Sequence, residues 1–145
     1  MGNTLSINKI NFEDIQTAIK SPELYLIINT LHNNEQECLI KNTVSIDKEE
    51  ELINNFIKIN KNIKIIIYGK HCNDELTEKK YYQLVKLGFY NVYVYSGGLF
   101  EWLMLQDIYG NELFPTNNSN NTNKKIVDFL KYKSPQKLNI QLLYP

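Results

Sequence analysis

Residues Lys64-Ile65-Ile66-Ile67-Tyr68 form an apolar run that does not alternate. A strand with one wet face would read apolar, polar, apolar. An unbroken run needs cover on both faces, the habit of a parallel strand flanked by helices. Leu24 to Ile28 reads as a second buried strand and Val92 to Tyr95 as another, with Val44 and Ile46 suggesting a short one. Helical patterns alternate with these runs. Asn11 with Asp14 reads as a helix start, Phe12, Ile15 and Ile19 form its apolar stripe, and Pro22 marks its end. Asp47 with Glu50 reads as a second capping pair, Glu49 to Glu51 suit the helix's positive end, and Ile53, Phe56 and Ile57 supply its apolar face. Glu75 to Leu87 carries Tyr81, Leu84 and Val85 on one side and stops at Gly88. Leu99 to Gln106 follows Gly97-Gly98 as a nearly all-apolar helix, and Lys124 to Lys131 suggests a last one. Such alternation predicts an α/β sandwich with a mostly parallel sheet.

At 145 residues the chain is long enough for one domain with a real core. Its 16 basic residues balance 16 acidic ones, so nothing draws it to a phosphate backbone, and nucleic acid is not expected as a partner. Every basic residue is lysine, which removes any mechanism built on a guanidinium clamp. Cys38 and Cys72 have neither metal-type nor redox-type spacing, and no secretory leader argues for a disulfide. The sequons at Asn117 and Asn120 fall in an Asn-rich stretch and are read as compositional. No apolar run approaches a membrane span. The opening Met-Gly-Asn-Thr-Leu-Ser fits the N-myristoylation pattern at Gly2 with Ser6; the bland alternative is an unmodified terminus. One acyl chain binds membranes reversibly, so the expectation is a cytoplasmic protein with peripheral membrane contact. The chain divides into a myristoylation-type segment (1–6), a domain (7–115), and an Asn-rich linker with a tail running over the surface (116–145).

In parallel sheets, ligands bind at the carboxyl ends of strands. That singles out residues 29–33 and the loop Gly69-Lys70-His71-Cys72-Asn73-Asp74, which opens a helix whose free N–H groups favour an anion. Cys72 is the candidate nucleophile. Lys70, His71 and the helix end each favour a thiolate. Against this, Asp74 and Glu75 already occupy the helix's first turn, and between 69 and 80 Lys70, Lys79 and Lys80 are cancelled by Asp74, Glu75 and Glu78. Cys38 is read as a buried, inert thiol. His32 approaching His71, Cys72 and Asp74 would make a zinc site, against the plainer reading of two surface histidines. Phe100, Trp102 and Leu103 are read as core, with Tyr109, Phe114 and Pro115 capping one end of the sheet.

Ile65-Ile66-Ile67-Tyr68-Gly69, a helix, Leu87-Gly88-Phe89-Tyr90-Asn91-Val92-Tyr93, and Gly97-Gly98-Leu99-Phe100-Glu101-Trp102 together resemble the rhodanese-like domain. Leu26-Ile27-Ile28-Asn29 and Cys38-Leu39-Ile40-Lys41-Asn42-Thr43-Val44-Ser45-Ile46 resemble its upstream segments, so the likeness covers about residues 7–107. It implies a three-layer sandwich with a five-stranded parallel sheet and sulfurtransferase ancestry, with a persulfide carried on cysteine and no cofactor. The family's cysteine directly follows the strand; here that residue is Gly69. Where the family places an arginine five residues on stands Asp74; its strand-end aspartate is Asn29, and the arginine two residues beyond is Leu31. Cys72 is three positions late. The related phosphatases need Cys-x-x-x-x-x-Arg, but Glu78 stands where that arginine would, and a carboxylate there repels a phosphoryl group. The expectation is a rhodanese-like domain without sulfurtransferase activity, acting as a binding or scaffold module for an unidentified protein partner. The alternative is an unorthodox sulfurtransferase using Cys72.

Overall fold

The computed structural model describes residues 6–117 and 128–138. In chain order they form β1 (Lys9–Ile10), α1 (Phe12–Lys20), β2 (Tyr25–Asn29), α2 (Ile46–Ile59), β3 (Lys64–Tyr68), α3 (Glu75–Leu87), β4 (Asn91–Tyr95) and α4 (Gly98–Tyr109). Short 3₁₀ turns sit at Asn33–Glu35 and Phe129–Tyr132. All strand pairs are parallel, in the order β1-β4-β3-β2.

The lack of alternation in β3 has the expected cause. Ile66 and Tyr68 face a core shared with Ile15 and Ala18 of α1 and with Leu99, Trp102 and Leu103 of α4. Ile65 and Ile67 face the opposite core, with Ile53 of α2 and Tyr81 and Leu84 of α3. The result is three layers, helices on both faces of one sheet. Local signals set most element ends. Asn11 accepts the N–H groups of Glu13 and Asp14 while Asp14 accepts that of Asn11, closing a capping box. Gly88 stops α3 in the left-handed region at φ 111°.

The sheet has four strands among the described residues, not the expected five. Where the fifth would lie, Thr43 makes one parallel bridge to Ile27. Ile40 instead pairs antiparallel with Thr116, and Asn42 turns between them at φ 70°. Chain that serves two partners across one turn cannot form a continuous ladder. The Tyr68 hydroxyl fixes this edge, accepting the Ile40 N–H at 3.1 Å and lying 2.8 Å from Thr43 Oγ1. Its complete burial raises the Tyr68 pKa.

Two other expectations shift nearby. Ile46 opens α2 rather than ending a strand, and the helix is capped by Ser45, whose Oγ accepts the Asp47 N–H at 3.3 Å, rather than by Asp47. β1 is added at the sheet edge, where two residues of Asn-Lys-Ile carry no readable period. The expected helix over 124–131 lies partly outside the described residues; its described end is the turn Phe129–Tyr132. The tail does not simply run over the surface, because Tyr132 is 1% exposed and belongs to the α1/α4 core. Trp102 is fully buried, edge-on to Phe114 at 5.0 Å, and donates its indole N–H to Pro115 O at 3.0 Å. Gly2 and the sequon residues from 118 onward lie outside the described residues.

Candidate functional site

The loop 69–74 joins the carboxyl end of β3 to α3. Its carbonyls are gripped from one side: the Leu99 and Phe100 N–H groups at the start of α4 donate to Gly69 O (2.9 Å) and Lys70 O (2.8 Å). These are orphan donors of a helix whose Gly97 cap offers no side-chain bond. So close an approach demands glycine next door. Gly98 has φ 70°, and a Cβ there would stand 2.8 Å from His71 N and 2.9 Å from Gly69 O.

The amide side of the loop is occupied by Asp74. Its Oδ2 accepts the Lys70 N–H at 3.1 Å and its Oδ1 accepts the Leu76 N–H at 3.0 Å. Asp74 is therefore the N-cap of α3 and the anion of its own loop. The same carboxylate lies over Gly69, where a Cβ would collide with Asp74 Oδ2 and Thr77 Oγ1. Thr77 is held in turn, 3.2 Å from Thr30 Oγ1, which lies 3.4 Å from Tyr68 O.

The groups expected to activate Cys72 are engaged elsewhere. Lys70 Nζ pairs with Glu35 at 2.9 Å. Burial works to raise the Glu35 pKa, but the bond to Lys70, with the His32 N–H adding to it, outweighs that and holds it below the usual carboxylate value. His71 Nδ1 accepts the Asn73 N–H at 3.1 Å, so that nitrogen is turned to the loop's own backbone. Cys72 itself is exposed and Cys38 is buried; neither is in a disulfide. Cys72, His71, Asp74, Lys9 and Tyr95 line one cleft of about 40 Å³, room for about one water. Tyr95 donates to Glu101 Oε1 at 2.6 Å beneath it, and burial with that bond raises the Tyr95 pKa.

The strand-end loop at 29–36 closes on itself. Asn29, 3% exposed, accepts the Leu31 N–H at 2.9 Å and exchanges bonds with Gln36 at 2.9 and 3.1 Å. Leu31, where the family resemblance places a cation, is 6% exposed. His32 places its N–H on Glu35 Oε1 at 3.1 Å. Among the described residues no three His, Cys, Asp or Glu side chains are placed to hold a metal ion, so the zinc arrangement is not assembled. A wider groove of about 290 Å³ lies between the end of β2, α2 and α3, lined by Thr30, Glu49, Leu76 and Lys79; Lys80 there pairs with Glu49 at 2.6 Å, and Cys72 does not reach it.

One contact had no sequence signal. Asn73 Nδ2 donates to Ser134 Oγ at 2.8 Å, so the tail clasps the loop. Phe129 packs on Phe100 at 6.0 Å and Tyr132 fills the core beside it.

A family model described as Rhodanese-like domain matches residues 12–105. No curated protein sequence matches the chain. Among solved structures, a rhodanese-like domain from Anabaena sp. superposes with TM-score 0.56 at 20% identity, covering 92% of this chain and 96% of that one. A Bacillus halodurans protein gives 0.56 at 21%, covering 71% and 74%. A variant of EanB, with ergothioneine covalently linked to a cysteine persulfide, gives 0.58 at 21%, covering 77% of this chain but 28% of that one.

Proposed function

The chain belongs to the rhodanese-like domain family, and from that premise we propose that it acts as a binding or scaffold module without sulfurtransferase activity. The observation that supports this most strongly is Asp74, whose carboxylate takes the Lys70 and Leu76 N–H groups and covers Gly69. A thiosulfate dianion offered to this loop would meet a fixed negative charge where it needs donors. No arginine exists to offset that charge. The proposal includes a reversible membrane tether through an acyl chain on Gly2, on a protein working in the cytoplasm; its support is the Met-Gly-Asn-Thr-Leu-Ser opening. Among the described residues no helix is long and apolar enough to cross a membrane.

A second reading uses Cys72, because the thiol is exposed and shares a cleft with His71. In that chemistry the Cys72 thiolate attacks the outer sulfur of thiosulfate and sulfite leaves. Cyanide then takes the sulfur from the persulfide as thiocyanate. A thiosulfate:cyanide assay of the full chain separates the two readings. The scaffold reading expects no thiocyanate above the protein-free rate in wild type or Cys72→Ser; turnover that vanishes in Cys72→Ser overturns it. For the tether, the intact mass from a myristoylating host is expected to show loss of Met1 and gain of one acyl chain, and an unmodified terminus refutes it.

A further inference from the structure

The clasp between the tail and the loop carries a motif with its own chemistry. Residues 133–137 read Lys-Ser-Pro-Gln-Lys. A serine followed directly by proline, with a lysine three positions beyond the serine, is the pattern that proline-directed protein kinases read. The physical basis is specific. Proline has no N–H, so an apolar pocket without an acceptor accepts it, whereas any other residue would leave a donor unpaired there. The lysine supplies a charge for acidic groups on the enzyme. Proline also pushes the serine before it to extended backbone, the shape a kinase cleft takes up.

The chain around the serine fits this pattern. The turn Phe129–Tyr132 ends at Lys133, whose φ −66° and ψ 158° are already extended. Ser134 is half-buried, while Lys133, Pro135, Gln136 and Lys137 are exposed and outside any helix or strand. The segment is held from one side by Tyr132, so the serine is presented at a fixed place. That place adjoins the candidate site, since Ser134 Oγ is the atom that meets Asn73 Nδ2 on the Cys72 loop.

We propose that Ser134 is a phosphorylation site for a proline-directed serine/threonine kinase, and that its phosphate opens the clasp on the loop 69–74. The Ser134 hydroxyl oxygen attacks the γ-phosphorus of ATP, its proton passes to the kinase's base, and ADP leaves. The ester carries nearly two negative charges at pH 7. Through Asn73 they stand one residue from Asp74 and two from Glu75, two acids already committed to the start of α3. Like charges there push Ser134 off the loop, while Tyr132 keeps the preceding turn in the core. Lys133 and Lys137 lie beyond that turn and move with the phosphate, Lys131 stays in the turn beside Glu37, and Lys70 on the loop is held by Glu35. This site goes beyond the scaffold reading and does not depend on whether the domain transfers sulfur.

The test uses the full chain, ATP and a kinase of the cyclin-dependent class, with fragmentation to locate the phosphate. Phosphate is expected on Ser134, absent in Ser134→Ala and Pro135→Ala and several-fold slower in Lys137→Ala, and not on Ser21, whose Pro22 is followed by Glu23 and Leu24 with no lysine at the third position. Amide hydrogen exchange at 69–74 is expected to rise several-fold in the phosphorylated chain, with exchange in β3 unchanged. Lys137→Ala changes only an exposed residue, so it reads recognition without disturbing the fold. An unmodified Ser134 while a control substrate is phosphorylated overturns the proposal, and so does modification that survives Pro135→Ala. Phosphate on Ser134 with loop exchange unchanged overturns the opening of the clasp.

Discussion

The loop 69–74 has two sides, and they differ in what they require of the sequence. Its carbonyls face the start of α4, where Leu99 and Phe100 donate to Gly69 O and Lys70 O across the gap that Gly98 leaves. That side is scaffold, met by the Gly97-Gly98-Leu99-Phe100-Glu101-Trp102 signature. Its amides face the start of α3, where a ligand would sit, and there Asp74 takes the Lys70 and Leu76 N–H groups itself. Keeping the backbone path of an anion loop and keeping its capacity for an anion are separate demands. On the proposed function, this chain satisfies the first and abandons the second.

Substitutions on the two sides should separate these demands. Gly98→Ala has the largest expected effect, a loss of about 3 kcal/mol in chemical denaturation, because it adds backbone strain at φ 70° and a clash with the loop backbone. A loss below about 1 kcal/mol would mean the carbonyl side yields easily. Gly69→Ala should cost about 2 kcal/mol, since the added methyl must displace the Asp74 and Thr77 side chains. In Gly69→Ala/Asp74→Ala part of that penalty should disappear; strict additivity would break the claim that Asp74 occupies the space over Gly69. Asp74→Ala alone should cost about 1 kcal/mol as a lost cap.

A smaller effect tests the grip of Glu35 on Lys70. The folded pKa of Glu35 lies below its unfolded value, so its contribution is fully present above about pH 4.3 and is lost as pH falls through the lowered folded value. For this partly exposed pair the change should stay below about 1 kcal/mol, read as the difference in acid unfolding between wild type and Glu35→Gln. The smallest effect belongs to Cys72→Ser, expected within about 0.5 kcal/mol of wild type because the thiol is exposed.

What could be read from residues follows the same division. β3 and α3 have the bounds that their patterns predict, because an unbroken apolar run and a Gly88 stop are local signals. Asp74, expected in the first turn of that helix, stands one position earlier as its N-cap and does serve the helix start. The missing fifth strand was not legible, since it depends on Thr116 reaching back to Ile40 from far along the chain. Nor was Ser134, whose bond to Asn73 spans 61 positions without a period to betray it. The engagement of Lys70 by Glu35 and of His71 Nδ1 by Asn73 also escaped, because adjacency to Cys72 in sequence says nothing about which partner a side chain finds across the loop.

The most direct measurement is a thiosulfate titration of the ¹⁵N-labelled chain, following the amide signals of Lys70 and Leu76. With Asp74 holding both N–H groups, those signals should stay put in wild type and move saturably in Asp74→Ala. Saturable movement of both in wild type would show that the loop still accepts the anion, and would contradict the account.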